Sequence, residues 1–314
     1  MRCAHHAFAV ATLATAIIGC ADGPTIEEPL SVDAELGAAA DPLGGEDDRP
    51  SILIEPTQLS GQLDRRDQRI LDVRSSKAYV LSHIPGAIWV DVDRWKKQAL
   101  AENGLHDSAA WGRLVSQYGI DDGTRVVVYS DLLPNMARVW WTLKYLGLRD
   151  VMLLDGGWSA WTAAELPTSQ SIPPVMLVPF KPKFQPHRLA MLEEVKRAVG
   201  NDQMAIIDSR SRDEYTGKIK RGRRGGRIPG SVRVEWKDLL DHEGRFRPRD
   251  ELRELFLSRG AAPEQMVITY CQSGGRASVD AFALELAGYR HVKNYYRSFQ
   301  QWGADNNVPI ESGP

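Results

Sequence analysis

The 314-residue chain has only three cysteines, Cys3, Cys20 and Cys271. After its first twenty residues it has no long apolar run, so the remainder contains no ordinary membrane-spanning helix. The seven histidines, His5, His6, His83, His106, His187, His242 and His291, show no ligand spacing, and no metal motif can be read. Neither sign of charge dominates. With 39 basic and 41 acidic residues the formal net charge is -2, which does not mark a nucleic-acid or membrane-surface binder. What is present fits folded protein: 43% hydrophobic and 25% charged residues, in a chain long enough for two domains with ample core.

Residues 1–20 read as an export signal. Arg2 gives a positive start, AFAVATLATAII an apolar stretch too short to span, and IIGC ends the segment at Cys20. IIGC resembles a bacterial lipobox, whose cysteine is lipidated and becomes the new first residue. A plain secretory signal cleaved near Gly19 or Ala21 is the other reading. With Ala21 after the cysteine, inner-membrane retention is not signalled, and the expected address is the periplasmic side of a bacterial membrane, the outer membrane favoured over the inner, reached by a lipid anchor only. Residues 21–49 follow with nine acids and one base, Arg49, a composition expected to form a flexible tether. Cys271 is then the last free thiol, and no internal disulfide is possible. Two readings of it are open, a reactive thiol or a buried inert one.

The rest is written twice. ILDVRSSKAYVLSHIPGAIWV, from Ile70, is matched by IIDSRSRDEYTG and GGRIPGSVRV, from Ile206. Asp72 falls opposite Asp208, Arg74 opposite Arg210, VVVYS opposite VITYC, Gly147 opposite Gly288 and Trp161 opposite Trp302. Each half alternates short apolar runs with amphipathic segments. RILDV, AIWV, RVVVYS and VMLLDG read as strands in the first half; AIID, SVRVE, MVITYC and HVKNYY read so in the second. SAAWGRLVSQYG and RDELRELFLSRG read as helices closed by glycine. This alternation predicts an α/β fold, parallel sheets flanked by helices, with ligand sites at the carboxyl ends of strands. The expected domains are residues 50–167 and 188–314, joined by a proline-rich linker over 168–187.

Cys271 stands directly after the MVITY strand and opens the loop CQSGGR. Sulfur chemistry needs a thiolate, and loop amides together with a helix N-terminus favour one, lowering a cysteine pKa from about 8.5 to roughly 3.5–7.5. Gly274 and Gly275 let the backbone turn its N–H groups inward. The following helix, ASVDAFALELAG, has Val279, Phe282 and Leu286 on one face for the core. DVR and DSR, HIPG and RIPG, LDGGW, and a cysteine loop in the second half only together resemble the tandem-domain rhodanese, or sulfurtransferase, family over about residues 50–314.

The resemblance implies two rhodanese-like domains, the first non-catalytic and the second catalytic, in a monomer without metal or organic cofactor. It implies that Cys271 takes a sulfane sulfur from a small anionic donor, thiosulfate or 3-mercaptopyruvate, and passes it as a persulfide to a thiophilic acceptor such as cyanide or a thiol. Gln272, Ser273, Gly274, Gly275 and Arg276 form the cradle. Thiosulfate-using relatives carry a basic pair where this chain has the neutral Gln272 and Ser273, and mercaptopyruvate-using relatives carry Gly-Ser, so the donor stays open. Arg276 either orients the loop or counters the donor's charge. Asp208 braces the fold, with Arg210 beside it either bracing or facing the donor. Ser130 stands opposite Cys271 in the first half, where serine is a poor sulfane acceptor and Asp131 repels an anion.

Two rivals remain at this level. Phosphatases of this fold have five residues between cysteine and arginine, against four between Cys271 and Arg276, so the ring is small for a phosphate. A non-catalytic binding module would have little use for the thiol. The stretch KIKRGRRGGR, residues 218–227, holds six bases in ten residues without interleaved aromatics. It is a solvated loop, or a rim that draws anions toward Cys271. Under the rim reading, neutralising two or three of its arginines raises the donor KM, less so in high salt; an unchanged KM removes that reading.

Overall fold

The computed structural model describes residues 52–314. The signal and tether read at residues 1–20 and 21–49, Cys20 among them, lie outside the described residues.

The first half builds one sheet from five short strands, β1 Leu53–Ile54, β2 Gln68–Asp72, β3 Ile88–Trp89, β4 Arg125–Tyr129 and β5 Val151–Leu154. Their order is β1-β5-β4-β2-β3. The second half builds another from β6 Met204–Asp208, β7 Val232–Arg233, β8 Met266–Tyr270 and β9 Val292–Asn294, in the order β7-β6-β8-β9. Every pairing is parallel, as the alternating pattern predicts. The central strands β4 and β8 are buried over Val126–Tyr129 and Val267–Tyr270, which is why they read as continuous apolar runs rather than alternations. β1, a two-residue strand at the sheet edge, was not anticipated.

Helices cover the sheets where the 3.6-residue pattern placed them. Ser108–Ser116 starts on the Asp107 carboxylate, which accepts from Ala110 N–H at 2.8 Å, and Arg249–Ser258 runs where RDELRELFLSRG placed a helix. The helices that follow the two central strands, Leu133–Tyr145 and Gly275–Leu286, are buried nearly all round, so they lie inside the molecule. They pack on each other, with the Trp140 ring edge-on to Phe282 at 4.8 Å. One buried apolar cluster runs through both halves, from Leu71 and Val128 to Val279 and Tyr296.

The linker is a strap on the first half. Ser169 exchanges backbone bonds with His83 at 2.8 and 2.9 Å, and the N–H groups of Val178, Lys183 and Gln185 donate to Ser116, Leu146 and Tyr145. Proline supplies the extended backbone, and these carbonyls at helix ends supply the acceptors.

Each half closes its sheet with the same buried brace. Register sets Asp72 beside Tyr129 and Asp208 beside Tyr270. Arg210 Nε and Nη2 donate to the two Asp208 oxygens at 2.9 and 2.6 Å, Nη2 also reaches the Gly226 carbonyl at 2.8 Å, and the Tyr270 hydroxyl donates to Asp208 at 2.5 Å. Arg74, Asp72 and Tyr129 repeat the arrangement, Arg74 donating to the Ser82 carbonyl instead. Removing one partner of such a pair strands a buried charge. Asp208→Asn and Asp72→Asn should therefore each lower unfolding free energy by about 3–5 kcal/mol, measured by urea titration. A loss near zero in both would show that the brace does not hold the strand ends.

Candidate active site

Cys271 follows the last residue of β8 and is 2% exposed. It is the one cysteine among the described residues, and it is unpaired. The chain turns at Gly274, whose φ of 88° lies in the left-handed region, and there a Cβ would stand 2.8 Å from the Tyr296 ring. The Gly275–Leu286 helix begins at once, so its free N–H groups face back to the loop.

Burial pushes the Cys271 thiol up. The Arg276 guanidinium, the N–H groups of Ala277 and Ser273, and Arg138 outweigh it and leave the thiol below its ordinary value. The Ser298 hydroxyl accepts from Cys271 N–H at 3.1 Å and Gly274 N–H at 3.2 Å, and lies 3.9 Å from Sγ. Ser298 is itself at φ 53°, in the backbone region that favours glycine. From the next helix, Phe299 and Gln300 N–H donate to the Cys271 and Gln272 carbonyls, both at 3.1 Å. Four backbone groups of the loop, the N–H groups of Cys271 and Gly274 and the carbonyls of Cys271 and Gln272, are thus held by Ser298 and the residues after it.

Arg276 donates to both oxygens of Glu214, at 2.6 and 3.0 Å. Burial pushes Glu214 up, but Arg276, Arg221 and the Ser211 hydroxyl hold it at about 2. Arg276 is thereby tied back. Arg210 lies in the brace, 2% exposed, with its guanidinium 4.2 Å from the centre of the Phe299 ring. Gln272 and Ser273 are half-buried at the mouth. Asp280, on the helix that follows the loop, is fully buried, and burial pushes it well above the usual carboxylate range.

The basic stretch is mostly engaged. Arg221 binds Glu214, Arg224 caps the carbonyls of Trp302, Gly303, Asp305 and Val308, and Arg227 pairs with Glu311. Lys220 and Arg223 alone in the stretch are exposed side chains without a partner among the described residues; they line an open basic concavity of about 820 Å³ that Cys271 does not line. Any steering of anions is confined to those two, and neutralising the other arginines would disturb the fold first.

Ser298, Glu214, Arg138 and Tyr296 are contacts of the loop that the sequence reading passed over. Two of them had a signal in the repeat. Ser298 stands opposite Gly157, which has φ 58°, and Glu214 opposite Ala78 while Arg276 stands opposite Asn135. An acid and a base that appear together in one copy mark a pair.

A family model for the rhodanese-like domain matches residues 55–164 and again 191–305. A thiosulfate sulfurtransferase of Corynebacterium glutamicum is 31% identical over 278 residues, covering 84% of this chain and 91% of that protein. The 3-mercaptopyruvate sulfurtransferase of Escherichia coli is 27% identical over 279 residues, covering 87% and 96%. Among solved structures, the anaerobic ergothioneine biosynthesis enzyme of Chlorobium limicola superposes with a TM-score of 0.75 at 23% identity, over 84% of this chain and 70% of that one, a likeness of fold.

Glu214 gives this site a pH signature. Its pKa falls from 4.5 to about 2 on folding, so its stabilisation is complete above 4.5 and disappears as pH drops toward 2. Glu214→Gln should cost about 3 kcal/mol at neutral pH, and the Tm gap to the parent should close over that acid window. A gap independent of pH would mean that the carboxylate's charge is not what holds Arg276.

Proposed function

The chain belongs to the rhodanese-like family and is a sulfurtransferase, and from that premise we propose that it works through a persulfide on Cys271. The Cys271 thiolate attacks the outer sulfur of thiosulfate, the donor's S–S bond breaks, and sulfite leaves with the electron pair. The outer sulfur stays on Cys271 as a persulfide, whose negative charge the Ala277 and Ser273 N–H groups and the cations face. A thiophilic acceptor, cyanide or a thiol, attacks that sulfur and returns the thiolate. 3-Mercaptopyruvate is the alternative donor; the neutral Gln272 and Ser273 fit neither family loop in full.

The observation that carries this reading is a buried thiol held below its ordinary pKa at the end of a parallel strand. A ring closed by four intervening residues suits one sulfur atom. The first half offers no equivalent. Ser130 takes the position of Cys271, and Trp158 N–H donates to the Ser130 carbonyl at 3.2 Å, as Phe299 N–H does to that of Cys271.

Intact mass is the test. Residues 50–314 treated with thiosulfate should gain one sulfur, lose it on adding cyanide, and gain none as Cys271→Ser. If neither thiosulfate nor 3-mercaptopyruvate adds sulfur, the persulfide reading fails.

A further inference from the structure

Arg138 belongs to the non-catalytic half, on the Leu133–Tyr145 helix, yet its guanidinium ends on the catalytic loop. Nη1 donates to the Ser273 carbonyl at 2.9 Å and to the Tyr296 hydroxyl at 2.5 Å. Nη2 lies 2.7 Å from where a Cβ on Gly275 would be, so only a glycine at the helix start lets the cation come this close. Tyr296 is itself clamped by the same helix, stacked on Trp141 at 5.0 Å and 29°.

Arg138 is 6% exposed, and both of its side-chain partners across the interface are neutral acceptors. The other buried arginines are paired with acids: Arg74 with Asp72, Arg210 with Asp208. Arg276, too, is bound to Glu214. A buried cation without a counter-ion is costly, and proteins keep one mainly where an anion arrives. The anion at hand is the sulfur of Cys271. We propose that Arg138 is the counter-ion of the Cys271 thiolate and persulfide, a positioning cation that the non-catalytic half supplies across the domain interface. The proposal rests on the sulfurtransferase reading and assigns the silent half a part in it.

The other charged groups around the sulfur do not replace this one. Arg276 is tied back by Glu214, a single carboxylate that it shares with Arg221, and acts on the thiol alongside Arg138. Burial pushes Asp280 well above the usual carboxylate range, and Asp208 is bound to Arg210. Arg138 is the cation at the loop whose field no carboxylate among its bonded partners cancels.

The test measures iodoacetamide alkylation of Cys271 against pH, which needs no sulfur donor and therefore stands apart from the intact-mass result. Arg138→Met should move the midpoint up by about one unit or more and slow sulfur uptake from thiosulfate about tenfold at neutral pH. Arg138→Lys should keep most of the parent midpoint, because it keeps the charge. Tyr296→Phe removes the hydroxyl and keeps the cation, so its midpoint should stay at the parent value even if Tm falls. Should the methionine variant not fold, Arg138→Gln, with an amide donor left for the Ser273 carbonyl, supplies the neutral comparison. A midpoint unchanged in the neutral variant, or shifted equally in the lysine variant, overturns the proposal and leaves Arg138 as interface glue.

Discussion

A sulfur atom that is to carry charge at 2% exposure has no water to solvate it, and the structure around Cys271 is a replacement for that water. Dipoles come first. The Gly275–Leu286 helix starts at the loop, and the left-handed turn at Gly274 brings its N–H groups round to the thiol side. That turn needs a fixed floor. β8 supplies it by pairing with β6 in the register that sets Asp208 beside Tyr270, one residue before Cys271. The Asp208–Arg210–Tyr270 brace is therefore remote from the chemistry in kind and adjacent to it in place. If it loosens, the loop loses the strand end from which it hangs.

Comparison of the two copies separates what the fold requires from what the chemistry requires. The brace is in both. The parallel strands, the capped helices and the glycines at Gly147 and Gly288, with φ of 102° and 92°, are in both. The loop and its supports differ. Ser130, Ala78, Asn135 and Gly157 stand where the second half has Cys271, Glu214, Arg276 and Ser298. At the last of these positions the contrast is physical. A Cβ on Gly157 would meet the Ser130 carbonyl at 2.1 Å, so glycine is obligatory there, while the second half accepts a serine in the same strained region and uses its hydroxyl on the loop N–H groups.

The duplication, the α/β class, the parallel sheets and the cysteine loop were legible because they are patterns along the chain: periodicity, punctuation by glycine, and a match between halves. The contacts that tune the thiol were less so. Arg138 is 135 residues from Ser273 and 158 from Tyr296, and in the sequence it is one more base in an apolar helix. The stretch 218–227 misled in the opposite sense. A run of bases looks like a surface field, but Arg224 and Arg227 face carbonyls and an acid from residues 302–313 that no local pattern connects to them. The linker was legible as proline-rich but not as a strap, because its acceptors are helix-end carbonyls of the first half.

A further consequence concerns selectivity. Of the cations at the loop, Arg276 is turned to Glu214 and Arg138 to the Ser273 carbonyl and the Tyr296 hydroxyl. At the mouth stand Gln272 and Ser273, neutral and half-buried. A cradle of this kind stabilises a sulfur anion whatever molecule delivered it, since N–H groups aimed at one atom do not read the rest of the donor. Discrimination between donors then lies in the two side chains at the mouth and in whatever the cleft presents beyond them. Uniform binding of different donors would lower KM without changing the chemical step, whereas interactions made only as sulfur arrives at Cys271 raise kcat. The loop supplies the second kind and the mouth the first, so substitutions at Gln272 and Ser273 should separate from those at Gly275 and Ser298 in which constant they move.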